Sequence, residues 1–531
     1  MQTPTLDYDT APTQSPDMVL SGKALGLRYD GTNESATWEA IVDRVIALQA
    51  AGFTTIAVQI EGVITLGTDL GVVDGFAHAL ATYTGNMLLE GMTSSAGFKA
   101  ANGVVAVAQT RVLVNRKCGN SGGATGDKHV KFNRITVDGN AFNQTVNTHG
   151  MSARFATDIE WNWCTFKNTY GLDTSTNETF AVDFLQSWHG RWFGCRVFSD
   201  DGGHMASGFS ANNSTDVSWT GNWAYNCVHG QGMTSAYCTG VAIIGNIAYG
   251  NGANGINLEH HTEGSVTVAN NVCGVKTLSG LNANNPLASS TAMPNAVHGI
   301  NILSCQHVSI TGNVCEYNTQ NGINVAYDGS VNAFDLTGGG NVCRANVQDG
   351  VYVSHGYDVD LGVRSQANGR YGFYNDTPST NGSVRFYGSA IGNTSFGVNQ
   401  IGSGNAPYTD IIDLEISANN GGSGNNQVQM GAGGTAVTFQ PYGVMTQRVP
   451  AVPGAVTTPA ANPYPFDCLV TLSPNATTAG LTVQVIDAIG AYGTVVTLTG
   501  AAPIAVLVKR RGSIQFGAGT LGTITWTWRR V

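Results

Sequence analysis

Between residues 194 and 400 one pattern of apolar and polar positions recurs along the chain. An apolar strand is followed by a Gly-Asn turn, a short strand, an asparagine-containing turn, and then a glycine with alternating apolar and polar residues. Two clear copies are residues 243–261 and 310–328. The second glycine of the pattern recurs at Gly208, Gly232, Gly255, Gly299, Gly322, Gly350, Gly372 and Gly397.

The spacing of these glycines predicts coils of about 24 residues. Most neighbouring glycines of the column are separated by a nearly constant step, but the step from Gly255 to Gly299 is almost twice as long. This long step is interpreted as two turns, one of which carries the polar stretch 276–295 as an insertion, so that Gly208 to Gly397 spans eight intervals. A unit this short cannot bury its apolar face alone, whereas stacked units bury one continuous core.

Two further columns keep the same register. Asparagine stands four residues before glycines of this column at Asn251, Asn318, Asn346, Asn368 and Asn393. Such asparagines can hydrogen-bond along an axis at the ~4.8 Å spacing of adjacent strands. Cysteine stands two residues after an asparagine at Cys164, Cys273, Cys315 and Cys343, and alanine at the matching positions Ala224 and Ala248. Because a position shared by Cys and Ala suits a small buried side chain, we expect buried thiols rather than disulfides.

These columns predict an all-β fold, a single-stranded, right-handed parallel β-helix. A leucine-rich repeat is excluded because its Leu-x-x-Leu-x-Leu signature is absent from the chain. No Cys-x-x-Cys pair occurs, so no zinc site is expected, and no cofactor is predicted.

Composition narrows the function classes. The chain has 531 residues, of which only 11% are charged, and a net charge of −10. This acidic balance is a poor match for a protein that holds nucleic-acid phosphates, so no nucleic-acid partner is expected. No stretch of about 18 apolar residues occurs, which predicts no membrane span. The N-terminal sequence has neither the basic nor the apolar region of a secretory signal.

The segment 27–58 carries the first resemblance to a known family. An Asp-Gly-Thr turn at 30–32 precedes residues 36–51, which show a helical period that ends before Gly52. The apolar side of this predicted helix consists of Ala40, Ile41, Val45, Leu48 and Ala51. The segment resembles the N-terminal module of pectin-lyase-like β-helices in bacteriophage tailspikes. The resemblance implies that the helix caps the open end of the solenoid.

The C-terminus carries a second resemblance. After a proline-rich stretch at 450–465, the segment 466–531 alternates like strands and turns. Asn462, Pro463, Pro465 and Asp467 mark its start, and Trp526 and Trp528 mark its end. It is similar to the module that ends many minor tail proteins of phages infecting actinobacteria. The predicted domains are an N-terminal arm (1–25), the β-helix (26–440), a linker (441–465) and a small β-sandwich-like domain (466–531).

The two resemblances imply a phage tailspike or minor tail protein. They imply a homotrimer, attached to other tail proteins of the virion and made in the host cytoplasm. They also imply that a polysaccharide or glycolipid of the host envelope is the ligand. Whether the protein only binds this glycan or also depolymerises it stays open, and binding is the favoured hypothesis.

A β-helix that cuts polysaccharide needs carboxylates on its outer side. Residues two and four places after each repeat glycine point outward together. After Gly255 these are Asn257 and Glu259, so Glu259 is a predicted outward carboxylate and is followed by His260. Glu259 is a catalytic candidate, with Asn257 and His260 as binding candidates. The alternative is a solvated turn, in which Glu and His are common.

A second group of candidates lies at Asp200 and Asp201. Two adjacent carboxylates raise each other's pKa, as a general acid requires. Together with Asp183 and His229 they are similar to polygalacturonase-type glycosidases, in which an Asp, an Asp pair and Gly-His-Gly follow at one-coil spacing. The sequence departs from that family, since Val228 replaces the first glycine and no Arg-x-Lys follows. The alternative is an Asp-Asp-Gly-Gly turn without chemistry.

Six of the nine tryptophans lie between residues 161 and 223, and their faces suit sugar rings. Side chains alternate between the two sides of a regular strand, and Cys164 is expected to be buried. Trp161 and Trp163 are therefore predicted to point outward. Trp188 and Trp192 flank a polar loop. These four tryptophans and His229 are predicted to contact substrate, with core packing as the alternative. No cationic residue is recognised beside an acidic cluster in the repeat columns, which counts against a polysaccharide lyase.

Overall fold

A computed structural model describes residues 16–67, 72–73, 76–77, 81–83, 86–103, 110–115, 128–145, 147–171, 179–200, 205, 207–275, 294–329, 333–377, 383–400, 408–417, 419, 428–430, 437–440, 460–461, 468–474, 481–486, 492–498, 504–508, 513–516 and 524–530. These residues form a parallel β-solenoid of about 10 turns with about 27 residues per turn. The chain divides into two compact units: Met1–Asn324 with Asp328–Val331 and Asn341–Gln348, and Val325–Tyr327 with Asn332–Gly340 and Asp349–Val531.

The first unit contains three ladders of parallel strands, which we name faces 1, 2 and 3 in chain order. Face 1 comprises Met18–Ser21, Ile56–Ile60, Met87–Gly91, Lys128–Asn133, Thr157–Asn162, Trp188–Phe193, Thr215–Thr220, Thr239–Ile244, Val266–Ala269 and Gln306–Thr311. Face 2 comprises Val63–Leu66, Gly97–Ala100, Thr136–Asp138, Thr165–Lys167, Arg196–Phe198, Trp223–Tyr225, Ile247–Tyr249, Val272–Cys273 and Val314–Glu316. Face 3 comprises Ala81–Tyr83, Thr110–Asn115, Thr148–Arg154, Phe180–Leu185, Ser207–Asn212, Met233–Ala236, Ile256–Glu259 and Ile300–Leu303.

Smaller elements complete the first unit. Val72–Val73 and Phe76–Ala77 form an antiparallel pair, and Ala141–Asn143 forms one 3-10 turn. Strands Ile323–Ala326 and Ala333–Arg344 contribute residues to both units.

The coil length differs from the prediction because the long step from Gly255 to Gly299 is a single coil. Asn257 pairs directly with Asn301 on face 3, so the insertion lies inside one turn rather than between two. Gly208 to Gly397 therefore spans seven intervals rather than eight, which agrees with the observed mean of about 27 residues per turn. Residues 276–293 of this insertion lie outside the described part of the chain.

The predicted asparagine column is confirmed as a buried ladder. In the first unit Asn251, Asn295 and Asn318 each donate from Nδ2 to Oδ1 of the next member at 2.9 Å, and Asn346 accepts from Asn318. In the second unit Asn368 donates to Asn393 at 2.9 Å. A second ladder of the first unit has steps of 2.9 to 3.0 Å and consists of Asn222, Asn246, Asn271, Asn313 and Asn341. Each amide thus satisfies its neighbour in the buried core.

Eight cysteines between Cys164 and Cys343 are buried free thiols, as predicted. Cys273, Cys315 and Cys343 share one column with Ala248, which confirms that part of the register. The placement of Cys164 in the same column is wrong. Thr165 pairs with Arg196, so the residues before them, Cys164 and Cys195, lie opposite each other. The backbone nitrogen of Cys195 donates to Asn222, so both cysteines belong to the column of the Asn222 ladder.

The tryptophan prediction is wrong for Trp161, which is fully buried, and for Trp192, which lies in the core beside it. Phe132, Trp161, Trp192 and Trp219 stack with ring centroids 6.1, 4.3 and 5.3 Å apart. Trp163 does point outward. Its φ of +56° places it at a corner between two strands, so alternate positions do not share a side there.

The predicted helix runs from Ser35 to Ala50, and we name it α1. Trp38 packs edge-on against Phe98 of face 2, with ring centroids 4.9 Å apart. The buried side of α1 includes Trp38, Ile41, Val42, Val45 and Leu48, whereas the predicted Ala40 and Ala51 are exposed. Met18–Ser21, assigned from sequence to the N-terminal arm, pairs with face 1. No helix in the described residues is long and apolar enough to cross a membrane.

The second unit begins with two parallel ladders. One comprises Val351–Val353, Phe373–Asn375, Val398–Gln400 and Val428–Met430. The other comprises Gly356–Gln366, Ser383–Ile391, Tyr408–Ser417 and Val437–Gln440. The C-terminal strands form two antiparallel sheets, one of Ala460–Ala461, Leu481–Ile486, Tyr492–Leu498 and Ser513–Phe516, the other of Cys468–Pro474, Ile504–Val508 and Ile524–Arg530. The predicted linker lies outside the described residues except for its short strand Ala460–Ala461.

Candidate functional site

The outer side of face 2 is built from short strands, which have three residues each in the central coils. In each of these strands the middle residue is buried and the first and third residues point outward. The first positions carry Thr136, Thr165, Arg196 and Trp223 in successive coils. The third positions carry Asp138, Lys167, Phe198 and Tyr225. Polar, charged and aromatic side chains from different coils therefore form one surface.

This surface forms a cleft of about 660 Å³, which we name the face-2 cleft. Its lining includes Lys99, Lys167, Arg196, Asp200 and Trp223. A second depression of about 410 Å³ shares Ser94, Thr136, Thr165 and Arg196 with it and extends the groove to Trp163. The volumes match those of small-molecule sites, and the elongated lining suits a chain-like ligand.

Two aromatic groups border this groove. Trp163 is 58% exposed and lies edge-on to Phe193, with ring centroids 5.2 Å apart. A Cβ on Gly194 would lie 2.5 Å from the Trp163 ring, so the indole packs closely on glycine and is held in place. Phe198 and Tyr225, in the lining of the cleft, stack with ring centroids 5.0 Å apart, and Tyr225 stacks at 5.3 Å on Tyr249, which is fully buried. Rigid aromatic faces of this kind bind the apolar faces of sugars.

The charged part of the cleft centres on Lys167. Its Nζ lies 2.9 Å from Oδ2 of Asp200 and 3.8 Å from Oδ2 of Asp138. The amide of Asn168 donates to both carboxylates, at 3.0 Å to Asp200 and 3.4 Å to Asp138. Because both accepting oxygens bond the same nitrogen, their separation cannot exceed the sum of these two hydrogen-bond lengths. This limit is compatible with the carboxylate spacing that glycoside hydrolases use.

Tyr225 lies beside this charged group. Burial is the main cause that raises its pKa, to about 12, and the charge of Asp200 raises the pKa further while Arg196 lowers it. The phenol therefore stays protonated at neutral pH. It can donate a hydrogen bond to a ligand but does not serve as a resting base.

The structure places the predicted catalytic residues in different positions. Asp200 lines the face-2 cleft. Asp201 lies outside the described residues. Glu259 ends the face-3 strand Ile256–Glu259 and accepts a hydrogen bond from Asn257 at 2.7 Å, so it does not join Asp200 in the cleft. The described carboxylate that does join Asp200 is Asp138.

The remaining predicted ligands on face 3 have structural partners. Asn257 is almost fully buried and accepts from Asn301 at 2.7 Å. His260 stacks on Tyr237 with ring centroids 4.6 Å apart, and its Nε2 lies 3.0 Å from Asp328. These contacts assign both residues to packing between coils rather than to an open groove.

His229 and Trp188 are exposed but lie away from the cleft lining. His229 lies in the turn after the face-2 strand Trp223–Tyr225. Trp188 begins a face-1 strand and is 39% exposed. Of the four predicted tryptophans, Trp163 is the one that lines the groove.

The sequence pattern did not reveal Lys99, Asp138, Lys167 or Arg196. The expectation that no cation stands beside an acidic cluster was confined to the repeat columns; outside those columns, Lys167 lies between Asp138 and Asp200. These residues are far apart in sequence and differ in type from coil to coil. The available signal was the recurring three-residue strand after each corner, seen in 136–138, 165–167, 196–198 and 223–225.

Metal binding has no geometric support in the described part of the chain. No group of three or more His, Cys, Asp or Glu side chains there is arranged to hold an ion.

Strand pairing defines the class of the protein, a parallel β-helix. Similar solved structures include the A-module of the Azotobacter vinelandii mannuronan C-5 epimerase AlgE4, with 18% identity, coverage of 80% of this chain and 100% of that chain, and a TM-score of 0.47. Another is the N-terminal fragment of bacteriophage Phi29 gene product 12, with 14% identity, 78% and 72% coverage, and a TM-score of 0.44. The Dettilon tailspike protein gp208 has 10% identity, 91% and 76% coverage, and a TM-score of 0.41. No protein-family model matches the chain, and no curated protein matches it.

Proposed function

We propose that this protein is a bacteriophage tail protein, a tailspike or minor tail protein, that binds glycan of the host cell envelope. Its ligand is a polysaccharide or the sugar headgroup of a glycolipid, held in the face-2 cleft. In this proposal it acts in the virion as a homotrimer, attached to other tail proteins.

The observation that carries the binding role is the composition of the groove. Trp163 and Trp223 offer ring faces at two points, and Arg196, Lys167 and Asp200 offer hydrogen-bonding groups between them. Sugars present both apolar ring faces and hydroxyl groups, so a site for them combines aromatic side chains with fixed polar groups. Successive coils contribute these side chains along the axis, which gives the groove the length that binding of a polymer requires.

The phage assignment is supported by the two ends of the chain. Asp30 accepts hydrogen bonds from the backbone nitrogen of Thr32 at 3.0 Å and from its hydroxyl at 2.6 Å, which fixes the turn before α1. The turn and the helix are the features that resemble tailspike proteins. The antiparallel strands that end the chain are the ones similar to the tail-protein module.

Binding of purified bacterial envelope glycans to the wild type and to Trp163→Ala tests the proposal. We expect Trp163→Ala to weaken binding about tenfold or more, because an exposed ring in a groove is a typical anchor. The matched control is Trp188→Ala, which removes an exposed indole from face 1 and should leave affinity unchanged. Equal losses in both variants, or no binding by the wild type to any glycan, would contradict the proposal.

A depolymerase is the second candidate, favoured by the Asp138–Asp200 pair. Its carboxylate spacing is compatible with glycoside hydrolysis, although Lys167 and Asn168 already occupy oxygens of both groups. In this alternative the wild type releases reducing ends from the bound glycan, and Asp138→Asn and Asp200→Asn each abolish the release. Binding without any release leaves the adhesion role.

A further inference from the structure

We infer that the face-2 cleft is selective for an anionic glycan, one whose sugars carry carboxylate or phosphate groups, and that Lys99 and Arg196 bind those groups. This inference rests on the proposed function and names the ligand class of the same site.

The charge balance of the cleft is opposite to that of the chain. The whole sequence has 35 acidic against 25 basic residues, whereas the cleft is lined by Lys99, Lys167 and Arg196 against Asp138 and Asp200. Lys167 forms ion pairs with both acids, so the two carboxylates already have a shared cation. The remaining two cations are therefore the ones available to a ligand.

Among the residues that the structure describes, neither Lys99 nor Arg196 pairs with a carboxylate. The guanidinium of exposed Arg196 lies over the ring of Trp223, with Cζ 5.9 Å from the ring centroid. This contact orients the planar group within the cleft lining, which suits paired hydrogen bonds to a carboxylate or phosphate. Lys99 is half-buried and offers a point charge at the other end.

The two cations are spaced for a polymer rather than for one small anion. Lys99 pairs in register with Asp138, Asp138 with Lys167, and Lys167 with Phe198, two residues after Arg196. The separation is three coils, or about 14 Å along the axis at ~4.8 Å per coil. Acidic groups on different sugars of one chain match this spacing better than one small anion does.

The test compares three synthetic hexamers: galacturonic acid, its carboxyl-reduced galactose counterpart, and glycerol phosphate. Affinities are measured by calorimetry for the wild type, Lys99→Gln and Arg196→Gln. Lys131→Gln is the matched control, since Lys131 pairs with Glu160 at 3.3 Å on face 1, away from the cleft. A hexamer of deoxythymidylate is the control for charge alone, since it carries backbone phosphates like the glycerol phosphate hexamer but is not a glycan.

We expect the wild type to bind at least one anionic hexamer more than tenfold tighter than the reduced hexamer. Lys99→Gln and Arg196→Gln should each lose about ten- to 150-fold in affinity, the range of a charged hydrogen bond, and Lys131→Gln should lose none. The preference for galacturonate or glycerol phosphate identifies the anionic group as carboxylate or phosphate.

Equal binding of the reduced hexamer, or of the thymidylate, would overturn the inference. Tight neutral binding that Trp163→Ala abolishes would preserve the proposed function, whereas no binding of any hexamer or envelope glycan would remove both.

Discussion

Single residues at the corners of the coils decide which side chains reach solvent. Asp158 and Trp163 both have φ of +56°; the first stands near the start of the strand Thr157–Asn162 and the second directly after its end. A left-handed residue rotates the chain between two faces, so the inward and outward alternation starts again after it. The indole of Trp161 consequently enters the core and that of Trp163 enters the groove, although they are close in sequence.

At the scale of the residue, His298 makes the fold sensitive to acid. It is buried between adjacent coils, where its Nδ1 accepts from the backbone nitrogen of Asn321 at 3.3 Å, and burial lowers its pKa to about 4. The unfolded chain takes up this proton near pH ~6.5. The contribution of His298 to the free energy of unfolding is therefore fully present above that pH and is lost as the pH drops towards 4.

We predict that His298→Asn removes this part of the acid sensitivity. Neighbouring coils carry Asn254 and Asn321 at equivalent turn positions, so an amide suits the site. Between pH ~7.5 and ~5 the variant should lose about 2 kcal/mol less unfolding free energy than the wild type, as measured by urea denaturation. The control His307→Asn changes an exposed imidazole. Identical pH profiles for wild type and His298→Asn would refute this role.

Residue patterns in the sequence predicted the repeating columns of the fold but not the row of residues that lines the cleft. The glycine and asparagine columns were recognisable because the same residue type recurs at a similar step. The row Thr136, Thr165, Arg196 and Trp223 was not, because its spacing varies from coil to coil and its residue types change. Side chains that bind a ligand need not stack on the same residue type in the next coil. Such a surface therefore shows no recurring residue in the sequence.

At the scale of the element, the asparagine ladders join coils whose strands are short. Asn313 accepts from the backbone nitrogen and from Nδ2 of Asn271, at 3.0 and 2.9 Å. Its own Nδ2 donates to the carbonyl of Val268 at 2.9 Å and to Oδ1 of Asn341 at 3.0 Å. One side chain thus satisfies polar groups on the turns before and after its own and links three consecutive turns within the buried core.

We predict that Asn313→Ala lowers the free energy of unfolding by about 2–4 kcal/mol, because it leaves buried donors and acceptors without partners. Thr311→Ala, two residues earlier and exposed, should change stability by less than about 0.5 kcal/mol. Chemical denaturation of the two variants checks this. A loss for Asn313→Ala no larger than for Thr311→Ala would mean that the ladder contributes little to stability.

At the scale of the whole molecule, the solenoid explains how a chain with few charges builds a charged groove. Regular coils place face-2 residues from successive turns, between Lys99 and Tyr225, side by side. The contacts inferred for Lys99 and Arg196 then come from strands rather than from turns. This arrangement gives a rigid surface, which reduces the entropy lost when a polymer binds.

Site mapping by photo-crosslinking tests the central claim most directly. An envelope oligosaccharide that binds the wild type is labelled with a diazirine, irradiated on the protein, and located by mass spectrometry of peptides. Binding in the face-2 cleft predicts crosslinks within 91–100, 134–138, 163–168, 194–200 and 223–225, which are lost when unlabelled glycan competes. Competable crosslinks confined to face 3, around Asn257 to His260, would contradict it.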